Sequence, residues 1–463
     1  MKKKTIIVMV IVLLVVVVVG LYGTYAASGT DDTYNVTLNN SLEEITIPSG
    51  SSKTIIYHIT NTNNGIVQYG VVYSGSNITV KIYDNSENSA TGTFDYGENK
   101  YIKLYITNSG TSDSTATIKT VLGYENGGNL IIPSGYTLVS EVKTSFATFI
   151  TNLYTNATKT TVTNNGITYN TAPSVGLMND RLGSSSTDIN GGNIRYYGAS
   201  PNNYIYFNCS DYSNQSSSTC ETWRIIGVFE GKVKIMRDEV IGSLAWDQDK
   251  NINSSLTTYD NDWSTSSLQV LLNQKYYNGD TAGTVTYYSD STGGTSTNLN
   301  MSSIGIKNSI TRNLISDTVY YLGGSDSSAI YSDQFYSYER GTTVYEGRPT
   351  TWTGKIALPY PSDFGYAADL GSCTAQLGSY NDTTCTSVNW MKPILGTSSW
   401  GWLLTPPSSY SSDAWRVYSS GYVRYGNNTF NESGIAPVLY LGSELGIGSG
   451  TGTSSDPYRL SVS

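Results

Sequence analysis

The most regular set of oxygen-bearing side chains in the sequence is Asp247-x-Asp249-x-Asn251-x-Asn253. Carboxylate and amide oxygens at alternate positions are how a calcium-binding EF-hand loop begins, because a hard cation collects many oxygen ligands. That loop also needs a glycine at its sixth position and a closing glutamate at its twelfth. Ile252 and Thr258 stand there, which excludes an EF-hand and leaves either a looser calcium cage or a polar turn. Other chemistry is more restricted. His58 is the single histidine, so Ser-His-Asp, Cys-His and His-ligated zinc chemistry are removed from the C-terminal part of the chain. Ser140-x-x-Lys143 has the spacing of a Ser/Lys nucleophile pair, but a serine-rich chain produces such a match by chance and the partner motifs are missing. No phosphate loop or dinucleotide fingerprint is present. Paired carboxylates are the one common catalytic device left, and no Asp or Glu pair stands out, so no catalytic residue is assigned.

The four cysteines are Cys209, Cys220, Cys373 and Cys385. An even number in an exported chain suggests two disulfides, with three possible pairings. The local one, Cys209–Cys220 and Cys373–Cys385, is preferred because each pair closes a short loop rich in Ser, Thr and Asn. Zinc is disfavoured, since neither pair has CxxC-like spacing and no histidine is near. Tyrosine reaches 39 residues. A low-GC genome accounts for part of that excess, but tyrosine also supplies wide contact area with a polar tip, which suits a binding surface. The ligand-contact candidates are Trp400, Trp415, Tyr418, Tyr422 and Tyr425, around a hairpin turning at Ser419-Ser420-Gly421. Strand alternation sends some of them inward. Trp415 is expected in the core, leaving the tyrosines as the better contacts.

The elements that carry these residues begin with a leader. Lys2, Lys3 and Lys4 precede an apolar run from Ile6 to Tyr22, and no charge occurs between Lys4 and Asp31. Hydrocarbon cannot solvate charge, and a span needs roughly 17–25 apolar residues. Residues 1–26 therefore read as a signal anchor or a signal peptide cut after Ala26, with the lysines cytoplasmic and the rest outside. The anchor is preferred, which makes the chain a single-pass membrane protein with an extracellular C-terminal part; cleavage would make it secreted. The net charge is −9, and the portion beyond the leader lysines is more acidic still. An acidic surface without a basic stripe argues against nucleic acid as a partner.

All eight Trp and all four Cys lie at or after Cys209, which points to two domains with different cores. Over 30–123, alternating runs such as Ile55–Ile59, Ile78–Tyr83, Tyr101–Ile106 and Ala116–Val121, separated by Asn, Gly and Ser, predict an all-β Ig-like sandwich. Residues 124–164 read as a linker and an amphipathic helix with Leu138, Val142, Phe146, Phe149 and Leu153 on one stripe. From 165 to 463 the pattern is α+β. Strands are predicted at Tyr204–Phe207, Trp223–Val228, Lys232–Met236, Trp400–Thr405, Trp415–Tyr418, Tyr422–Tyr425 and Ile435–Leu441, and helices over Ser264–Tyr277 and Ile304–Ile315.

Several segments of this last region are distinctive: Leu177-Met178-Asn179-Asp180-Arg181-Leu182, Gly192-Asn193-Ile194-Arg195-Tyr196-Tyr197-Gly198, Trp223-Arg224-Ile225-Ile226-Gly227-Val228, Tyr360-Pro361-Ser362-Asp363-Phe364-Gly365-Tyr366-Ala367, Trp402-Leu403-Leu404-Thr405-Pro406 and Gly434-Ile435-Ala436-Pro437-Val438-Leu439-Tyr440-Leu441. Together they resemble an uncharacterised surface-protein family of Gram-positive-type bacteria. Its C-terminal module is similar to the C-type-lectin-like fold of sulfatase-modifying enzymes and retroelement variable proteins. The resemblance implies a C-type-lectin-like domain over 165–463. It does not bring that fold's calcium-dependent sugar site, since only Ser200-Pro201-Asn202 and a reversed Asn261-Asp262-Trp263 stand near the required motifs. Nor does it bring reactive cysteines. The expectation is a multidomain, non-enzymatic cell-surface binding or adhesion protein, held to the membrane by its N-terminal helix, with a glycan or protein ligand and no cofactor beyond the calcium option. The alternatives are an extracellular carboxylate-dependent glycan hydrolase and a structural envelope or matrix subunit.

Overall fold

The computed structural model describes residues 32–37, 42–61, 67–84, 90–123, 130, 132–181, 192–253, 256–426, 428–443 and 445–462. The leader, residues 1–26, lies outside them. Among the described residues no helix is long and apolar enough to cross a membrane. The chain divides into two compact units, Met1–Thr144 and Ser145–Ser463.

The first unit is a β-sandwich. One sheet runs Asp32–Thr37, Ser52–Thr60, Asn99–Asn108, Ile78–Asp84, Ser140–Lys143; the other runs Leu42–Ile47, Ser114–Gly123, Val67–Ser74, Thr91–Phe94, with Thr137–Leu138 also paired to Val67–Ser74. Period-two alternation decides what faces inward. Ile55, Tyr57 and Ile59 of one strand and Ile102, Leu104 and Ile106 of its neighbour are buried, and they share a core with Ile45, Ile47, Val71 and Ile118 of the other sheet. His58 lies on the outer side of its strand, stacked on Tyr101 with ring centroids 4.1 Å apart and hydrogen-bonded through Nε2 to Asn99 Oδ1 at 3.0 Å.

The segment expected to be linker and helix divides between the units. Thr137–Leu138 and Ser140–Lys143 are strands of the sandwich, so Leu138 and Val142 do not belong to the helix, and Ser140 and Lys143 lie along a strand. The helix begins later, at Phe146, and ends at Asn156. Ser145 sets its start: its hydroxyl accepts from the Thr148 backbone N–H at 3.1 Å, the usual N-cap bond. Spacings of four fit a helix and, being even, also fit one face of a strand, and the cap resolves that ambiguity. Phe146, Ile150 and Tyr154 are the buried face, packed into the second unit's core.

The second unit is α+β. A nine-stranded sheet runs Thr160–Asn164, Ile167–Ala172, Leu177–Asn179, Ile194–Tyr196, Glu221–Phe229, Lys232–Arg237, Val438–Tyr440, Ile356–Ala357, with Tyr204–Phe207 also paired to Glu221–Phe229. The hairpin between Glu221–Phe229 and Lys232–Arg237 turns on Glu230 and Gly231, both at positive φ, which matches a two-residue turn to the strand twist. A smaller sheet runs Ser243–Ala245, Glu432–Gly434, Trp400–Trp402, Arg416–Tyr418, Val423–Arg424. The expected helices are shorter and interrupted: Ser267–Val270 continues as a wider turn over Leu271–Tyr276, and Met301–Ile304 and Ser309–Leu314 replace a single helix. Six of the tryptophans, Trp223, Trp246, Trp263, Trp390, Trp402 and Trp415, are fully buried here. Both local disulfides are formed, Cys209–Cys220 and Cys373–Cys385.

Candidate functional site

The smaller sheet carries the aromatic candidates. Register pairs Trp400 with Tyr418 across two strands, while Val417 and Val423 of the hairpin turn inward to the core. On the other face the Arg416 guanidinium lies 4.1 Å from the Trp400 ring centroid and 4.7 Å from that of Tyr418, and donates from Nη2 to the Tyr418 hydroxyl at 2.8 Å. Tyr418 stacks on Tyr422 at 4.2 Å and 12° and meets Trp400 edge-on at 5.8 Å. Trp400, Tyr418 and Tyr422 are all half-buried, so the three rings form a ridge held in shape by the arginine beneath.

Trp415 and Tyr425 belong to a second cluster. Trp415 is fully buried, donating from its indole N–H to the Ser325 carbonyl at 3.1 Å and packing edge-on against Phe335. It is a support, not a contact. Tyr425 packs between Trp415, at 4.9 Å, and the exposed Tyr410, at 5.3 Å. Tyr410, Tyr422 and Tyr425 line a cavity of about 520 Å³ with Asp326, Asp413 and Arg424. Asp326 is committed: it accepts from the backbone N–H groups of Ser408 and Ser409 and from both hydroxyls. Burial pushes the Asp413 carboxyl up, against the pull of Arg416.

Trp400, at the other end of the ridge, lines a second cavity of about 400 Å³ with Ser243, Asp290, Glu432 and Ser433. Asp290 accepts from the backbone N–H groups of Thr292, Gly294 and Thr295, which hold its carboxyl far below the usual range. Ser433 is 2 % exposed and its hydroxyl has no partner among the described residues. The ridge therefore joins two cavities rich in hydroxyls and carboxylates, with an unsatisfied buried hydroxyl at one of them.

The alternating oxygens of the calcium candidate are used by the loop itself. Asp247 accepts from the backbone of Ser267 at 2.8 Å and of Asp260 at 2.9 Å. Asp249 takes the Thr258 hydroxyl. Asn251 accepts from the Tyr288 N–H and donates to the Tyr288 carbonyl. Asp249–Asn251 is a 3₁₀ turn, and Asn253 lies just beyond its C-cap Ile252. Among the described residues no group of three or more His, Cys, Asp or Glu side chains is placed to hold a metal. Asp247 is nevertheless perturbed: burial pushes it up to about 7.

Sequence reasoning missed the most highly charged feature of the interior. Asp180, Arg195, Lys234, Glu339 and Asp363 are all at most 2 % exposed. Arg195 donates from Nε to Asp180 and from Nη1 to Asp363 at 2.9 Å, and Lys234 donates to the second oxygen of Asp363. Glu339 accepts from the Ser362 N–H and hydroxyl at 2.9 and 2.6 Å and faces Arg340 at 3.3 Å. Three distinctive segments, 177–182, 192–198 and 360–367, converge here through Asp180, Arg195 and Asp363. The available signal was a charge inside an otherwise apolar run: Lys234 sits in Val233-Lys234-Ile235-Met236, where every residue is buried, and a buried cation requires a partner.

No protein-family model matches the chain, and no curated protein matches it.

Proposed function

We propose that the chain is a non-enzymatic, surface-displayed binding protein of the adhesion type. An Ig-like sandwich carries a C-type-lectin-like head, residues 1–26 attach it to the membrane, and ligand is received on the Trp400–Tyr418–Tyr422 ridge and its flanking cavities. The observation that carries this reading is the ridge: half-exposed aromatic faces, fixed by Arg416, between two cavities lined by hydroxyls and carboxylates. Flat apolar faces beside planar acceptors suit the alternating apolar and hydroxylated surface of a glycan, and they equally suit a polar protein epitope. Screening the full chain on glycan arrays and against host-matrix proteins tests it. The hit should lose roughly thirtyfold in affinity in Trp400→Ala and Tyr422→Ala, the scale of an interface hot spot. A hit unaffected by either change would move the site elsewhere. The hydrolase alternative rests on Asp290 and Glu432, which line one cavity together. Glycan cleavage lost in Glu432→Gln would favour it over binding alone.

A further inference from the structure

A third cavity lies away from the ridge, against the buried charge network. It measures about 230 Å³ and is walled by Phe229, Tyr321, Tyr336, Tyr360 and Tyr440, with the Arg340 guanidinium among them. Arg340 lies 3.4 Å from the Tyr336 ring centroid, 5.1 Å from that of Tyr321 and 5.7 Å from that of Tyr360. Its Nη1 reaches the Tyr336 carbonyl at 3.5 Å and Glu339 at 3.3 Å. Among the described residues, its Nε and Nη2 have no hydrogen-bond acceptor, and Glu339 accepts its shorter bonds from Ser362. A guanidinium in aromatic surroundings with one edge unused presents the fork that a carboxylate fills with two parallel hydrogen bonds.

Two further cations stand behind the walls, each paired with a carboxylate. Lys234 Nζ stands 4.4 Å from the Tyr360 centroid and 5.5 Å from those of Tyr440 and Phe229, and the Arg195 guanidinium lies 4.5 Å from Phe229. Asp180 and Asp363 neutralise these two cations behind the rings, so Arg340 is the cation set among the rings of the cavity itself. At the mouth, Glu230 and Asp317 add negative charge, and Lys232 turns to the Asp317 carbonyl. With one guanidinium lining the cavity and Asp317 already paired with Lys355, a single negative charge is what the cavity can match. The volume is below the roughly 300–1,000 Å³ of sites for drug-sized ligands, and so fits a body of about one ring.

We propose that this cavity is a binding site for a small monocarboxylate with a flat or apolar body, its carboxylate on the free edge of Arg340 and its body between the tyrosine rings. The site is independent of the ridge, so it stands or falls apart from the adhesion reading.

Benzoate, its uncharged isostere benzamide, and inorganic phosphate are titrated by calorimetry against the full chain. Benzoate should bind at least about tenfold more tightly than either competitor, because a charge-assisted pair adds roughly ten- to a hundredfold. Arg340→Gln should remove that preference. Arg340 also packs inside the fold, so a second variant keeps the test open if it misfolds. Val319 lines the cavity but is 49 % exposed, and Val319→Trp closes the mouth without entering the core. It should abolish benzoate binding with an unchanged melting temperature, while Trp400→Ala leaves binding intact. The proposal is overturned if benzoate fails to bind, if benzamide or phosphate binds as well, or if folded Val319→Trp binds benzoate like the unaltered chain.

Discussion

At the scale of single residues, the interior of the second unit sets opposing demands on charge. Lys234 is fully buried and bonded to Asp363, which Arg195 also holds. Removing one member of such a pair leaves the other charge uncompensated in a low-dielectric surrounding. Lys234→Met should therefore destabilise the second unit by about 3–5 kcal/mol in chemical denaturation; a loss below about 1 kcal/mol would mean that Arg195 alone satisfies Asp363. The same network predicts how stability follows pH. Burial pushes Glu339 up to about 7, against Arg340 and the Ser362 donors, and pushes Asp247 up to about 7. Both values lie above the ordinary 4.5 and 3.8, so the folded chain holds these protons more tightly and loses stability as pH rises through 7. Asp363 works in the other direction. Burial raises it, but Lys234 and Arg195 outweigh burial and leave it below 3.8, so its contribution is present above about pH 4 and lost beneath. Burial lowers Lys234 to about 8, so it stays mostly protonated at the acid side of neutrality. Melting temperature should peak between about pH 4 and 6 and fall toward about pH 7.5. A profile that rises steadily to pH 7.5 would contradict the raised carboxyls.

At the scale of elements, the strand Glu221–Phe229 holds the network in place, and it does so through a glycine. A Cβ on Gly227 would stand 2.2 Å from the Ile194 carbonyl oxygen and 3.0 Å from Arg195 Cα, both backbone of the neighbouring strand. Gly227 also follows the register shift after Ile225. Gly227→Ala should thus push Ile194–Tyr196 away and carry Arg195 off its two aspartates, at a cost of roughly 1–3 kcal/mol for the overpacking alone. Hydrogen exchange concentrated on 194–196 and 227–228 would locate the damage; exchange unchanged there would show that the strands yield without strain. Elements also show what the sequence made legible. The sandwich strands and the hairpin at Gly231 could be read because one face of each is wet or one turn is chemically distinctive. The start of the helix at Phe146 could not, because Leu138 and Val142 satisfy both a helical and a strand period and only the Ser145 cap distinguishes them. The ridge residues could be chosen by type, and strand alternation sent Trp415 inward as expected, but nothing local showed that Trp400 would stand at a cavity. The charge network was harder still, since it joins positions up to 168 residues apart and no local pattern pairs them.

At the scale of the whole molecule, two units with separate cores should unfold as separate events. The second holds both disulfides, closing separations of 11 and 12 residues. Loops of that length contribute about 3 kcal/mol each in the chain-entropy view. Calorimetry of the full chain should resolve two transitions, with reductant lowering one and leaving the other in place. A single transition, or two that move together, would show the units to be thermodynamically coupled. The mature N-terminus, read by mass spectrometry, decides between the anchor and a cut after Ala26.

The burial of tryptophan has an optical consequence. Every indole in the chain lies at or after Trp223, and Trp246 stands 5.1 Å from Trp263 and 6.0 Å from Trp402, close enough for excitation to pass among them. The sandwich contributes only tyrosine and phenylalanine. Emission excited at the red edge of the absorption band is therefore a built-in reporter of the second unit alone, silent to whatever the sandwich does, and a fluorescence melt will differ from a circular dichroism melt on the same sample without any intermediate being present.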